Sequence, residues 1–335
     1  MRRTTTTTSP SAPVPAPGRA PRHRLDLLWR SSALVLLLAS TWLIVGAALH
    51  DASTAVVSAG RTVFTVGRLS ALSWWTTARA TSSAARTPAP DVRSGSGPYR
   101  WWQLVLLALS GVSAYTVCST VAIAFAGPVL PTLVLALTPA TVLIAESVMT
   151  RAAPSLSTGI GTVLAIGGAV LYVLPRLDGT LGGDVLIGTV SALAAMGSMA
   201  FYGVFFARVN RGHVGPMAPR ILPVFAVGSI PLVLWAATAV VGGDRVSWNV
   251  IGMLAVLGVV VYVPVYLLQH RLILTAGASW SALLGLAVPP LVGVGSALLH
   301  LAPVPMAVQL AGILVTVLGM ALVIRVRRAP VPETA

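Results

Sequence analysis

Residues 135–173 read LALTPATVLIAESVMTRAAPSLSTGIGTVLAIGGAVLYV, and residues 286–323 read LAVPPLVGVGSALLHLAPVPMAVQLAGILVTVLGMALV. A shift of 151 residues lays the first stretch on the second: Leu135 falls on Leu286, Ala136 on Ala287, Pro139 on Pro290, Gly161 on Gly312 and Gly168 on Gly319. Each stretch covers most of two consecutive apolar runs, at 128–149 and 157–175 and at 277–299 and 306–325, each about 20 residues, the length of helix that crosses a hydrocarbon core. The spacing therefore predicts a duplicated chain whose repeated unit is built from membrane helices.

Composition agrees. Of 335 residues, 56% are hydrophobic and 9% charged, against roughly a quarter charged in an average soluble domain. With a mean hydropathy of +0.87, most of the surface is expected to meet lipid rather than water. Ten apolar stretches follow along the chain, at 31–49, 54–77, 102–124, 128–149, 157–175, 184–207, 219–242, 248–269, 277–299 and 306–325. The second carries Arg61, Arg68 and many Ser and Thr residues, so an amphipathic surface helix is its alternative reading.

All basic residues other than His are Arg, 22 in number against 8 acids. Without Lys, Schiff-base chemistry and the Walker phosphate loop are excluded. The Arg residues sit in short runs between apolar stretches, which leaves no continuous basic face for nucleic acid. They read instead as topogenic signals, because cytoplasmic loops retain positive charge. With ten spans and an internal N-terminus, 18 of the 22 fall on the cytoplasmic side. Both termini are thus expected in the cytoplasm, with the protein a multi-pass resident of the plasma membrane.

The expected organisation is a disordered tail over 1–26, a five-helix unit over 27–176 and a second over 177–326. A flexible linker at 80–98 interrupts the first unit, and a short tail follows at 327–335. Five spans per unit is an odd number, so the second copy enters from the opposite face, giving an inverted repeat. Such repeats are typical of carriers that rock about a site near the membrane midplane.

The two quoted runs, together with GDVLIGTVSALAAMGSMAFYGVFFAR at 183–208, resemble EamA domains of the drug/metabolite transporter superfamily. The resemblance covers residues 30–325 as two tandem domains. It rests on the Pro of spans four and nine, the paired Gly of spans five and ten, and an Arg early in span two that Arg61 matches. Where many EamA domains place Gly-Glu thirteen residues after that Pro, this chain has Ala152 and Pro303. The resemblance implies a ten-helix, all-α secondary transporter, an exporter of a small organic metabolite or drug, without a cofactor. A multispan membrane enzyme acting on lipid-type substrates is the competing class, and a non-transporting scaffold or sensor a third. Gly-rich packing faces are also compatible with a homodimer.

Apart from Asp184, the first residue of its span, Glu146 is the sole acid inside a span, where a charge costs at least about 2.5 kcal/mol and needs a partner, a watery cavity or a proton. It is the leading candidate for the substrate or proton path. Arg61 and Arg68, seven residues apart, share one helical face; they are read either as a lock on Glu146 or as a site for substrate carboxylates. Tyr115, Tyr202 and Tyr262 lie deep in their spans, where each hydroxyl needs a partner or a cavity. Pro139, Pro290 and Pro264 remove backbone donors inside spans and are read as hinges or kinks. The lone Cys118 forms no cluster, and His50, His213, His270 and His300 show no metal-ligand spacing, so no metal is expected. With no GxSxG motif there is no sign of a nucleophilic hydrolase.

Overall fold

The computed structural model describes residues 20–84, 99–138, 140–141, 156–173, 175, 184–213, 215–276, 284–301 and 304–327. Glu146, Pro139 and most of the 80–98 linker lie outside them. Among the described residues the protein is all helix, without strands.

The chain runs through α1 (Ala20–Asp51), α2 (Thr54–Ala84), α3 (Trp101–Ala126), α4 (Val129–Leu135) and α5 (Leu156–Val173). It continues through α6 (Val185–Val209), α7 (Met217–Val241), α8 (Trp248–Leu274), α9 (Val288–Leu298) and α10 (Ala307–Arg327). Five of these contain segments long and apolar enough to cross a membrane: Ser32–Asp51 in α1, then α3, α6, α7 and α8. Shorter apolar helices occur at Gly159–Tyr172, Val288–Leu298 and Ala307–Gly319. This is a helical membrane protein.

Helix limits follow local chemistry. The Asp184 carboxylate caps α6 by accepting from the amides of Leu186 and Ile187 at 3.1 and 3.2 Å, and the Ser247 hydroxyl accepts from Val250 N at the start of α8. Gly127, at φ 73°, ends α3 in a conformation that a side chain rarely adopts. Two helices outrun the sequence expectation. Helix α1 begins at Ala20, inside the tail expected over 1–26, and α2 continues to Ala84, into the expected linker. Nothing in TTARATSSA breaks a helix, and the first Pro beyond it is Pro88.

Helix α2 is too polar to qualify as a span by hydropathy, yet it is no surface appendage. It packs along α7 and against α3 and α8, burying Ser58, Arg61, Thr62 and Thr65. Thr62 and Thr65 keep their hydroxyls satisfied by donating to the carbonyls of Ala59 and Arg61 one turn back.

Helices α5 and α10 meet almost backbone to backbone. A Cβ on Gly168 would stand 2.5 Å from Thr316 N and 2.6 Å from Gly312 O. One on Gly312 would stand 2.7 Å from Gly168 O, and one on Gly319 2.6 Å from Gly161 O. Only hydrogen fits there, which is how small residues let apolar helices associate without a hydrophobic driving force. Thr316 closes the seam by donating to Ala165 O and Gly312 O.

Two spans carry a π-helical turn at matching depth, Leu109–Ala114 in α3 and Leu257–Tyr262 in α8. Pro264 supplies a cause for the second: it has no amide to bond four residues back, and its ring displaces that carbonyl. Each turn includes a buried glycine against a neighbouring helix, Gly111 beneath the Tyr202 ring and Gly258 against Phe64 and Thr65. Each is followed four residues later by a tyrosine, Tyr115 and Tyr262. Pro290 follows Pro289 in the first turn of α9, directly after a 3₁₀ turn at Gly285–Ala287. Amides in a first turn have no partner within their own helix, so the missing N–H costs little there.

Candidate functional site

A cavity of about 120 Å³ lies among six helices. Helices α1, α3 and α4 contribute Trp42, Tyr115 and Thr132; α6, α8 and the turn before α9 contribute Met199, Gln269 and Gly285. Its wall is largely apolar, and among the described residues no carboxylate, guanidinium or imidazole lines it. Gly203 of α6 belongs to the wall, and a Cβ built there meets nothing within 4 Å. At the end of the bundle holding the α6–α7 loop, Ile273 also borders a second hollow, of about 650 Å³, lined by Arg208, Arg211 and His213. The buried Ile273 side chain, 4% exposed, thus borders both the central cavity and a basic mouth.

Arg61 sits behind that wall, 3% exposed. Its guanidinium donates to Thr116 O at 3.1 Å and Ser119 Oγ at 2.9 Å, both in α3, and lies 5.6 Å from the centroid of the Tyr262 ring. Among the described residues it makes no ion pair. Arg68, two turns on, is exposed on the outside of the bundle. The two arginines therefore part company, one tied into the core and one at the periphery.

The three tyrosines part as well. Tyr115 lines the cavity. Tyr262 is packed beneath Arg61, away from the cavity wall, and stacks on Tyr266 at 5.2 Å. Tyr202 donates to His270 Nε2 at 2.5 Å, since the other ring nitrogen, Nδ1, is engaged with Tyr266 O at 2.6 Å as a donor. That assigns the Nδ1–H tautomer and a neutral ring, enclosed by Phe206 at 4.6 Å and 1% exposed. Tyr202→Phe would leave Nε2 as a buried acceptor with no donor, at a cost of about 1–3 kcal/mol. The expected result is a lower melting temperature with unchanged oligomeric state, read by thermal denaturation in detergent.

Asn210, just past α6, escaped the sequence reading and ties one end of the bundle together. Its Oδ1 accepts from the Tyr99 hydroxyl and Arg220 Nε, while Nδ2 donates to Phe206 O. Burial holds the Tyr99 phenol above its ordinary pKa, so it stays protonated and donating through the physiological range. Gln269 was equally unmarked. A signal for the α3 and α8 turns was present: GVSAY at 111–115 and GVVVY at 258–262 share a Gly four residues before a Tyr.

No protein-family model matches the chain, and no curated protein does. The fold is similar to that of a solved structure described only as the crystal structure of a protein. The match has a TM-score of 0.54 at 18% identity, covering 88% of this chain and 98% of the other. At that identity the likeness extends to the fold alone.

Proposed function

We propose that this chain is a secondary carrier of a small organic molecule, formed by ten membrane spans in two inverted five-helix units and working by alternating access. The observation that carries the reading is the cavity's position: its wall takes one residue set from the first, third and fourth helices of each unit. A site shared by equivalent helices of two related halves is where rocking of one half against the other changes its access.

The glycine seam supports the inversion. The 151-residue shift converts Gly161 into Gly312 and Gly168 into Gly319. The contacts pair Gly161 with Gly319 and Gly168 with Gly312. Exchanging the halves therefore returns the same pairs, as a two-fold axis perpendicular to antiparallel helices requires. The matched π turns of α3 and α8 support it independently. Membership of the EamA group, export as the direction, and a plasma-membrane location with cytoplasmic termini belong to the same proposal.

The test is efflux from proteoliposomes loaded with labelled amino acids, nucleosides and cationic drugs, with and without a pH gradient. Selective efflux is expected, and Gly203→Leu should lower it by more than about tenfold at unchanged melting temperature, because the new side chain enters the cavity without backbone conflict. Efflux untouched by a folded Gly203→Leu protein would remove the cavity from the path.

A further inference from the structure

We infer that the central cavity binds an uncharged molecule with a compact apolar body and a hydrogen-bonding carbonyl group, and that Tyr115 and Gln269 are the residues that read that group. This rests on the carrier reading of the same cavity and names its substrate class.

Two observations converge. First, among the described residues the wall offers Trp42, Leu38, Leu135, Met199 and Ile273 but no ionised group. An ion entering it loses its hydration and gains no counter-charge from that wall. The nearby cation, Arg61, already donates to Thr116 and Ser119 and faces Tyr262.

Second, the Tyr115 hydroxyl and the Gln269 side-chain amide have no hydrogen-bond partner among the described residues, though both border the cavity. The other wall hydroxyls differ: Thr132 and Thr138 each donate to the carbonyl three residues back, Val129 O and Leu135 O. Two unpaired polar groups in an apolar wall, one from each half, are the arrangement by which a binding site orients a ligand. A phenol gives one donor and an amide gives both donor and acceptor, so a primary amide or a similar carbonyl-and-donor group satisfies the pair.

Isothermal titration of the purified full-length protein in lipid nanodiscs tests this with three probes of one shape: 3-methylbutanamide, 3-methylbutanoate and 3-methylbutylammonium at pH 7. The amide is expected to bind at least about tenfold tighter than either ion. Tyr115→Phe and Gln269→Leu should each weaken it about fivefold to tenfold, with melting curves taken alongside. Gln269→Glu, nearly isosteric, guards against loss of packing and should weaken the amide at least as much. Equal or tighter binding of either ion overturns the assignment, as does absence of binding by all three probes, or amide binding unchanged in folded Tyr115→Phe and Gln269→Leu proteins. The carrier reading stands or falls separately, on the Gly203→Leu flux measurement. A cavity that carries flux without amide preference sinks only the substrate class; amide preference without flux through the cavity sinks only the carrier.

Discussion

Gly312→Leu is expected to leave almost no monodisperse protein after extraction in mild detergent, whereas Gly167→Leu should behave as wild type. The atoms that a Gly312 side chain would strike are backbone: Gly168 O at 2.7 Å and Tyr172 N at 2.8 Å. A flexible neighbour could rotate away, but these atoms move only if α5 moves as a whole. Overpacking a core costs typically 1–3 kcal/mol; with no rotamer to absorb the strain, the cost here is expected to exceed about 3 kcal/mol, enough to consume much of a domain's stability. Gly167 precedes Gly168 on the same helix, yet a Cβ there meets nothing within 4 Å. Size-exclusion profiles and melting curves of the two variants make the comparison. A well-behaved Gly312→Leu protein would mean that α5 and α10 do not meet through their backbones.

The second large effect is on transport rather than folding. Arg61→Met is expected to melt within a few degrees of wild type while lowering flux by more than about tenfold. The fold should tolerate it because the Thr116 carbonyl still accepts from the hydroxyls of Ser119 and Thr120, at 3.1 and 2.7 Å. No acceptor is orphaned, and removing a buried charge in favour of an apolar side chain of similar volume is often neutral or stabilising. Flux should fall because a buried cation bonded to Thr116, next to the wall residue Tyr115, disappears. Arg61→Lys is expected to recover little, since an ammonium lacks the planar fork that meets a carbonyl and a hydroxyl together. Full flux in folded Arg61→Met would reduce Arg61 to a tie between α2 and α3.

Membrane helices announce themselves through a one-dimensional property, apolarity over a fixed length, and α3, α6, α7, α8 and α10 each begin and end within a few residues of the stretches read from sequence, save for the longer end of α8. The glycines that pack α5 on α10 were also legible, because a shifted repeat exposes them. What a repeat does not expose is azimuth. Arg61 and Arg68 share a helical face on a wheel, yet the bundle leaves one buried and the other exposed. The same holds for the tyrosines: depth was readable for Tyr115, Tyr202 and Tyr262, but which of them met a cavity depended on helix rotation. Gln269 and Asn210 carry no pattern of their own in sequence. Their roles come from what faces them, an apolar cavity in one case, and Tyr99 and Arg220 in the other.

The placement of Trp42 gives the protein an internal optical reporter. Its indole is 6% exposed and forms part of the cavity wall, whereas Trp29, Trp74, Trp101 and Trp248 are each at least 71% exposed on the outer surface. Brominated or spin-labelled lipids darken fluorophores that touch acyl chains, so in such a bilayer the emission of residue 42 is spared relative to that of these exposed indoles. Occupancy of the cavity is thereby written into the colour and lifetime of a native residue, with no label attached.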